Sequence, residues 1–350
     1  MSLTTQSPLR SLVPKGAWGG EGTKSLKLTR SRVYVPACAI AIAGALLIAI
    51  GWLGHWGGAD FKSTFASVQV VATGPATLTM IGVLLVAERI WPAQRRHPFA
   101  RGYRQDALYT ILNATLTVPF VVALSLSFAL VVRTRMPWLT FPRIGALPHV
   151  MVVASLFVAM DACNWLAHLA NHRVRALWRF HELHHSQEDM SVLTVFRTHP
   201  LIHISYLIAL VPGIILIANG GIPTALLVVY GGAVALAHSN IRMTFGPLNR
   251  IFVSPNYHRI HHRLDARQDV NLGFALTIWD QLFKSAVFPT KETVGIATGL
   301  PGRPLIVEHG TVHPRHLAVF VAQLVAPFRP LASDTKFSPE ITHESVAKAR

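Results

Sequence analysis

THPLIHISYLIALVPGIILIANGGIPTALLVVYGGAVALAHSNI, residues 198–241, holds no Asp, Glu, Lys or Arg. Asn219, Gly220, Gly221, Ile222 and Pro223 break it midway, a run of turn-forming residues. Two apolar limbs joined by a turn predict a helical hairpin that enters a bilayer and returns to the side it left. The flanks agree. Arg173, Arg175, Arg179 and Arg197 precede the hairpin, and Arg242, Arg250, Arg259, Arg263 and Arg267 follow it, so the positive-inside rule puts both ends in the cytoplasm.

Working outward, three further charge-free runs lie upstream, at 68–87, 107–132 and 144–160, and a fourth at 33–53. Each approaches or exceeds the length needed to cross a hydrocarbon layer of about 30 Å. The run at 144–160 is expected to continue as helix towards His172. Arg133, Arg135 and Arg143 sit between the third and fourth runs, so a re-entrant pair is an alternative there. A cleaved signal peptide is the alternative for 33–53. The 350 residues are 51% hydrophobic and 14% charged, with a mean hydropathy of +0.40, which excludes an ordinary soluble domain. Lys and Arg outnumber Asp and Glu by 32 to 16. The basic residues fall between apolar runs rather than along one helical face, which fits anionic lipid and membrane topology, not nucleic acid. Cys38 and Cys163 are the two cysteines, so neither a disulfide framework nor a Cys-rich zinc site can be built.

The expected fold class is all-α, a polytopic membrane helical bundle with a cytosolic histidine-rich cap. Residues 1–32 read as a disordered basic cytoplasmic tail, 33–143 as an N-terminal transmembrane region, and 144–290 as the histidine-rich domain with its hairpin. Residues 291–350 read as a cytoplasmic C-terminal region with a disordered end, whose apolar patch at 317–328 suits the membrane surface. The chain is expected to be an integral protein of the plasma (inner) membrane, with both termini cytoplasmic.

Histidine spacing carries the chemistry. His168 and His172 stand at i, i+4. His181, His184 and His185 stand at i, i+3, i+4, and His258, His261 and His262 repeat that pattern beyond the hairpin, while His238 sits at its exit. Imidazole suits iron, zinc or copper, and two ions of four or five ligands each would need about nine nitrogens. The arginines alone put all four blocks on one membrane face. His199 and His203, another i, i+4 pair, fit structural or supporting roles better than ligation.

The blocks HLANH (168–172), WRFHELHHS (178–186), RTHP (197–200), HSN (238–240), PNYHRIHH (255–262) and DVNLGFALTIWDQLF (269–283) resemble those of the fatty acid hydroxylase/sterol desaturase superfamily. The resemblance implies that His168, His172, His181, His184, His185, His238, His258, His261 and His262 ligate two irons. It also implies dioxygen as co-substrate, a membrane lipid as substrate and electrons from a separate protein. Hydroxylation and desaturation of an aliphatic position both fit. Leu169 departs from the arginine common at that place in the family. Asp161 is a candidate acceptor for a ligand's outer N–H, because metal-bound imidazoles donate their free nitrogen to a carboxylate or carbonyl. Asp269, Asn271, Asp280 and Gln281 could serve similarly, with surface hydrogen bonding as the alternative, and His199 and Asn240 are further candidates for supporting positions around the ligands.

Two rival readings use the same residues. His181, Glu182 and His185 satisfy His-Glu-x-x-His, the helix of zinc peptidases, although Arg259 stands where the second block would need its glutamate. A metal transporter or haem electron carrier is the non-enzymatic alternative; its ligands would lie deeper in the membrane.

Overall fold

The computed structural model describes residues 58–95, 102–140, 147–212, 224–264, 269–300 and 316–328. The run at 33–53, the tail 1–32 and the hairpin tip lie outside them. The regular secondary structure of the described residues is helical, with β contacts among them limited to isolated bridges such as Phe252 with Leu276. The chain is an all-α membrane bundle.

Helix α1 (Gly58–Thr73) and α2 (Pro75–Ile90) follow one another with a break at Gly74. A Cβ there would lie 2.5 Å from the Val70 carbonyl oxygen, and Pro75 supplies the fixed φ of a first helical turn. This apolar helical segment, Phe61–Ile90, extends beyond the expected run at 68–87 on both sides. Helix α3 (Tyr103–Leu112) passes through a π turn (Asn113–Thr117) into α4 (Val118–Arg135). The π turn widens the backbone ladder, and the Thr115 carbonyl takes a 2.7 Å hydrogen bond from Gln69 on α1. Helix α5 (His149–Arg173) is continuous. Phe61–Ile90, Tyr103–Ser125 and His149–Arg173 are each long and apolar enough to cross a membrane.

The cap is built from shorter pieces. Helix α6 (Arg175–His185) begins two residues after α5 ends. The two 3₁₀ segments Val192–Phe196 and Pro200–Leu210 lead into the hairpin, and α7 (Thr224–His238) returns from it. Helices α8 (Pro255–His261) and α9 (Ile278–Leu282) follow. Finally α10 (His316–Val325) lays Phe320 and Leu324 against Tyr109 and Leu183, so one face of the C-terminal apolar patch packs onto the cap while Leu317 and Phe328 stay exposed.

Buried polar pairs brace these pieces. Asp106 on α3 meets Arg197 at 2.9 Å, both side chains out of solvent, and Gln187 donates to the other Asp106 oxygen at 2.6 Å. Arg197 also donates to the Leu183 carbonyl and Ser186 hydroxyl at the end of α6, each at 3.3 Å. Gly102 opens α3 in the left-handed region (φ 84°), where a Cβ would press on the Gln187 amide at 2.8 Å. Glu88 of α2 accepts from the backbone N–H of Val192 (2.6 Å) and of Asn240 (2.9 Å). The apolar helices are thus fastened to the cap by carboxylates that a hydropathy profile treats as helix-end charges.

Candidate metal centre

The structure draws the nine histidines into two adjoining groups. His168, His172, His181, His185 and His261 form one; His184, His238, His258 and His262 form the other; within each group the facing ligand atoms lie within 4.8 Å of one another. All nine are buried. Helical periodicity explains the partition. On α6 the i, i+4 pair His181 and His185 faces the five-membered group, and His184 at i+3 turns to the other. The block His258–His262 does the reverse: His258 and His262 face the four-membered group and His261 crosses over. The groups touch where His185 and His262 stack, 4.4 Å between ring centroids and 19° apart.

The donor chemistry fits metal ions. His168 Nδ1 lies 2.8 Å from the Leu272 carbonyl, His238 Nδ1 2.8 Å from that of Val234, and His261 Nδ1 2.8 Å from that of Val270. A carbonyl can only accept, so Nδ1 carries the proton and a neutral ring turns a bare Nε2 lone pair inward. Those lone pairs converge. His168 and His185 Nε2 each lie 3.1 Å from His181 Nε2, and His184 and His258 Nε2 each lie 3.0 Å from His238 Nε2. Ligands at right angles around an ion with metal–nitrogen bonds of about 2.1 Å would stand about 3.0 Å apart. Nε2 of His172 and His261 and both ring nitrogens of His262 have no hydrogen-bond partner, a costly state for buried polar atoms unless a cation receives a lone pair from each ring.

Burial, and next the charge that neighbouring imidazoles would carry, hold His181, His184, His185, His258 and His262 well below the usual histidine pKa; burial does the same for His261. Neutral imidazole is the ligating form. Trp178 covers His172 and His185 at 5.1 and 5.5 Å, and Phe274 covers His168 at 5.0 Å.

Among the described hydrogen bonds, Asp161, His199, Asn240 and Asp269 meet partners other than the nine histidines. Asp161 accepts from Tyr230 Oη (2.9 Å), Trp279 Nε1 (2.9 Å) and the backbone N–H of Ala275 and Leu276 (3.0 and 3.1 Å). His199 binds the Leu324 carbonyl through Nε2 at 3.0 Å and accepts from Leu201 N–H through Nδ1. Asn240 bonds Arg259 Nη2 and Gln94. Asp269 pairs with Arg173 at a partly exposed site. The outer N–H groups of His168, His238 and His261 go to carbonyls instead, which residue type cannot reveal because every residue has one. Arg259 reaches Asn240 and the Ile296 carbonyl, tying α8 to neighbouring loops.

Buried imidazoles gathered at the ends of apolar helices define a histidine-rich candidate metal centre in a membrane protein. Residues 153–285 match the family described as Fatty acid hydroxylase. The chain is 29% identical to an ornithine lipid hydroxylase (OlsE) of Rhizobium tropici, over 72% of this chain and 74% of the relative. It is 30% identical to the alkylglycerol monooxygenase of Homo sapiens, over 37% of this chain and 29% of that one; the Xenopus tropicalis enzyme is similar at 29%. The chain thus spans about a third of the alkylglycerol monooxygenases it matches. No solved structure matches it.

Proposed function

We propose that the chain hydroxylates, or desaturates, an aliphatic position in the acyl or alkyl chain of a membrane lipid, using dioxygen and electrons from a separate protein. The observation that carries this reading is the partition of nine buried imidazoles into adjoining sets of five and four. The five-membered set would hold one iron and the four-membered set the other. Bound iron supplies the redox chemistry with dioxygen that an unactivated C–H bond demands.

The protein's own part is placement. Carbonyls at 234, 270 and 272 fix the tautomers of His238, His261 and His168, and burial keeps the rings neutral. Trp178 and Phe274 exclude water beside the five-membered set. Helix α5 runs directly from an apolar span into His168 and His172, so an alkyl chain can reach the centre from the bilayer without crossing water. Hydroxylation removes one hydrogen and leaves an oxygen on the same carbon; desaturation takes hydrogens from two adjacent carbons. The ornithine lipid hydroxylase similarity, which covers most of both chains, favours a polar membrane lipid of that kind as substrate. The centre and both termini face the cytoplasm in this reading, with the plasma (inner) membrane as location.

A zinc peptidase built on His181, Glu182 and His185 would leave the other set without a purpose. Comparative lipid mass spectrometry of cells with and without the chain tests the proposal. A lipid class shifted by about +16 or −2 Da, as one added oxygen or two lost hydrogens requires, supports it; an unchanged lipid profile with active protein contradicts it.

A further inference from the structure

Asp280 is fully buried on α9 and accepts five hydrogen bonds. Its Oδ1 takes Trp165 Nε1–H (3.0 Å), Leu272 N–H (2.9 Å) and Ser285 Oγ–H (2.8 Å). Its Oδ2 takes Gly273 N–H (2.9 Å) and Tyr257 Oη–H (3.1 Å). Trp165 lies one turn before His168 on α5, and Tyr257 precedes His258 on α8, so one carboxylate joins two ligand-bearing helices.

The Gly273 bond has a specific consequence. Gly273 N–H and the Leu272 carbonyl belong to one peptide group, and that carbonyl accepts His168 Nδ1–H at 2.8 Å. A continuous chain therefore runs from Asp280 through the 272–273 peptide to His168. Polarisation along such a chain strengthens each bond and draws the Nδ1 proton outward, which raises electron density at the inward Nε2. Gly273 is required for this approach: a Cβ would sit 2.5 Å from the Leu276 carbonyl oxygen and 3.1 Å from Asp280 Oδ2. Asp161 holds the next turn of the same segment through Ala275 and Leu276 N–H.

We propose that Asp280 is a positioning residue that acts on His168 through the Leu272–Gly273 peptide, tuning the five-histidine site while leaving the four-histidine site untouched. The inference rests on the metal reading above and adds an asymmetry to it: this chain ends on a histidine of the five-membered group, whereas His238 of the four-membered group donates to the Val234 carbonyl within its own helix.

The test uses the full chain in detergent micelles, stripped of metal and titrated anaerobically with ferrous iron against a competing chelator. Wild type is expected to hold two ions. Asp280→Asn should bind one of them about tenfold to hundredfold more weakly, the usual effect of losing a ligand's outer partner, with the other at wild-type affinity. Tyr257→Phe and Ser285→Ala, which remove donors to Asp280 but spare the peptide, should keep both affinities. Two wild-type affinities in Asp280→Asn overturn the relay, and so does equal weakening in Tyr257→Phe or Ser285→Ala. If Asp280→Asn does not fold, Asp280→Glu takes its place: selective weakening of one ion supports the relay, and both affinities unchanged or both lost overturn it. A wild type that holds no iron instead removes the metal reading itself, and the relay with it.

Discussion

His185 and His262 stack at 4.4 Å although they face different groups of imidazoles. The two candidate sites therefore share a wall of imidazole rings, and a change on one side of that wall should be felt unequally on the two.

Removing one ligand from each group tests the partition. His261→Ala and His184→Ala should each lower iron from two ions per chain towards one and depress activity by more than about 100-fold, beyond the usual loss for an outer-partner change. Elemental analysis and lipid turnover on the purified variants check this. Full activity in either variant would remove that histidine from the centre.

Asp106 and Arg197 pair at 2.9 Å in a dry setting, and Arg197 also holds the end of α6. Breaking the pair from one side leaves a buried charge unmatched, so Arg197→Met should destabilise the protein by about 3–5 kcal/mol. The double variant Arg197→Met with Asp106→Leu should recover part of that loss. Denaturation in micelles reads both; a single variant as stable as wild type would contradict the bracing role.

At the π turn, Gln69 serves the Thr115 carbonyl at 2.7 Å. Gln69→Leu removes that donor and should cost about 1–3 kcal/mol. The same denaturation assay detects it, and an unchanged midpoint would mean the carbonyl finds another donor.

Acid should destabilise the metal-free protein. The six cap imidazoles at 181, 184, 185, 258, 261 and 262 have folded pKa values lowered by burial. Once pH falls below about 6.5 the unfolded chain binds protons that the folded one refuses. Their contribution is therefore fully present above that pH and is lost progressively as pH drops towards the folded values. Melting temperature of the stripped protein should fall between pH 8 and pH 5.5; a flat profile would contradict neutral burial.

Much of this was legible in the sequence, for identifiable reasons. Spans at 68–87, 107–132 and 144–160 were visible because bilayers demand long apolar runs, and the structure places described apolar helices over each. The histidine blocks stood out because i, i+3, i+4 spacing survives in helices whatever the tertiary fold. The two-way split of each His-x-x-His-His block was implicit in the same period but needed the packing of α5, α6, α7 and α8 to become definite. The partners of Asp161 have no local signal, because its backbone and Trp279 donors lie more than a hundred residues away. Carbonyl acceptors for His168 and His261, and the 272–273 peptide beneath Asp280, carry no side-chain signature at all.

Metal stoichiometry of the purified full chain, measured by elemental analysis beside protein quantitation, bears most directly on the central claim. Two irons per chain, both lost when His184 and His261 are replaced together, is the expected result. A single zinc per chain, retained in that double variant, would contradict it.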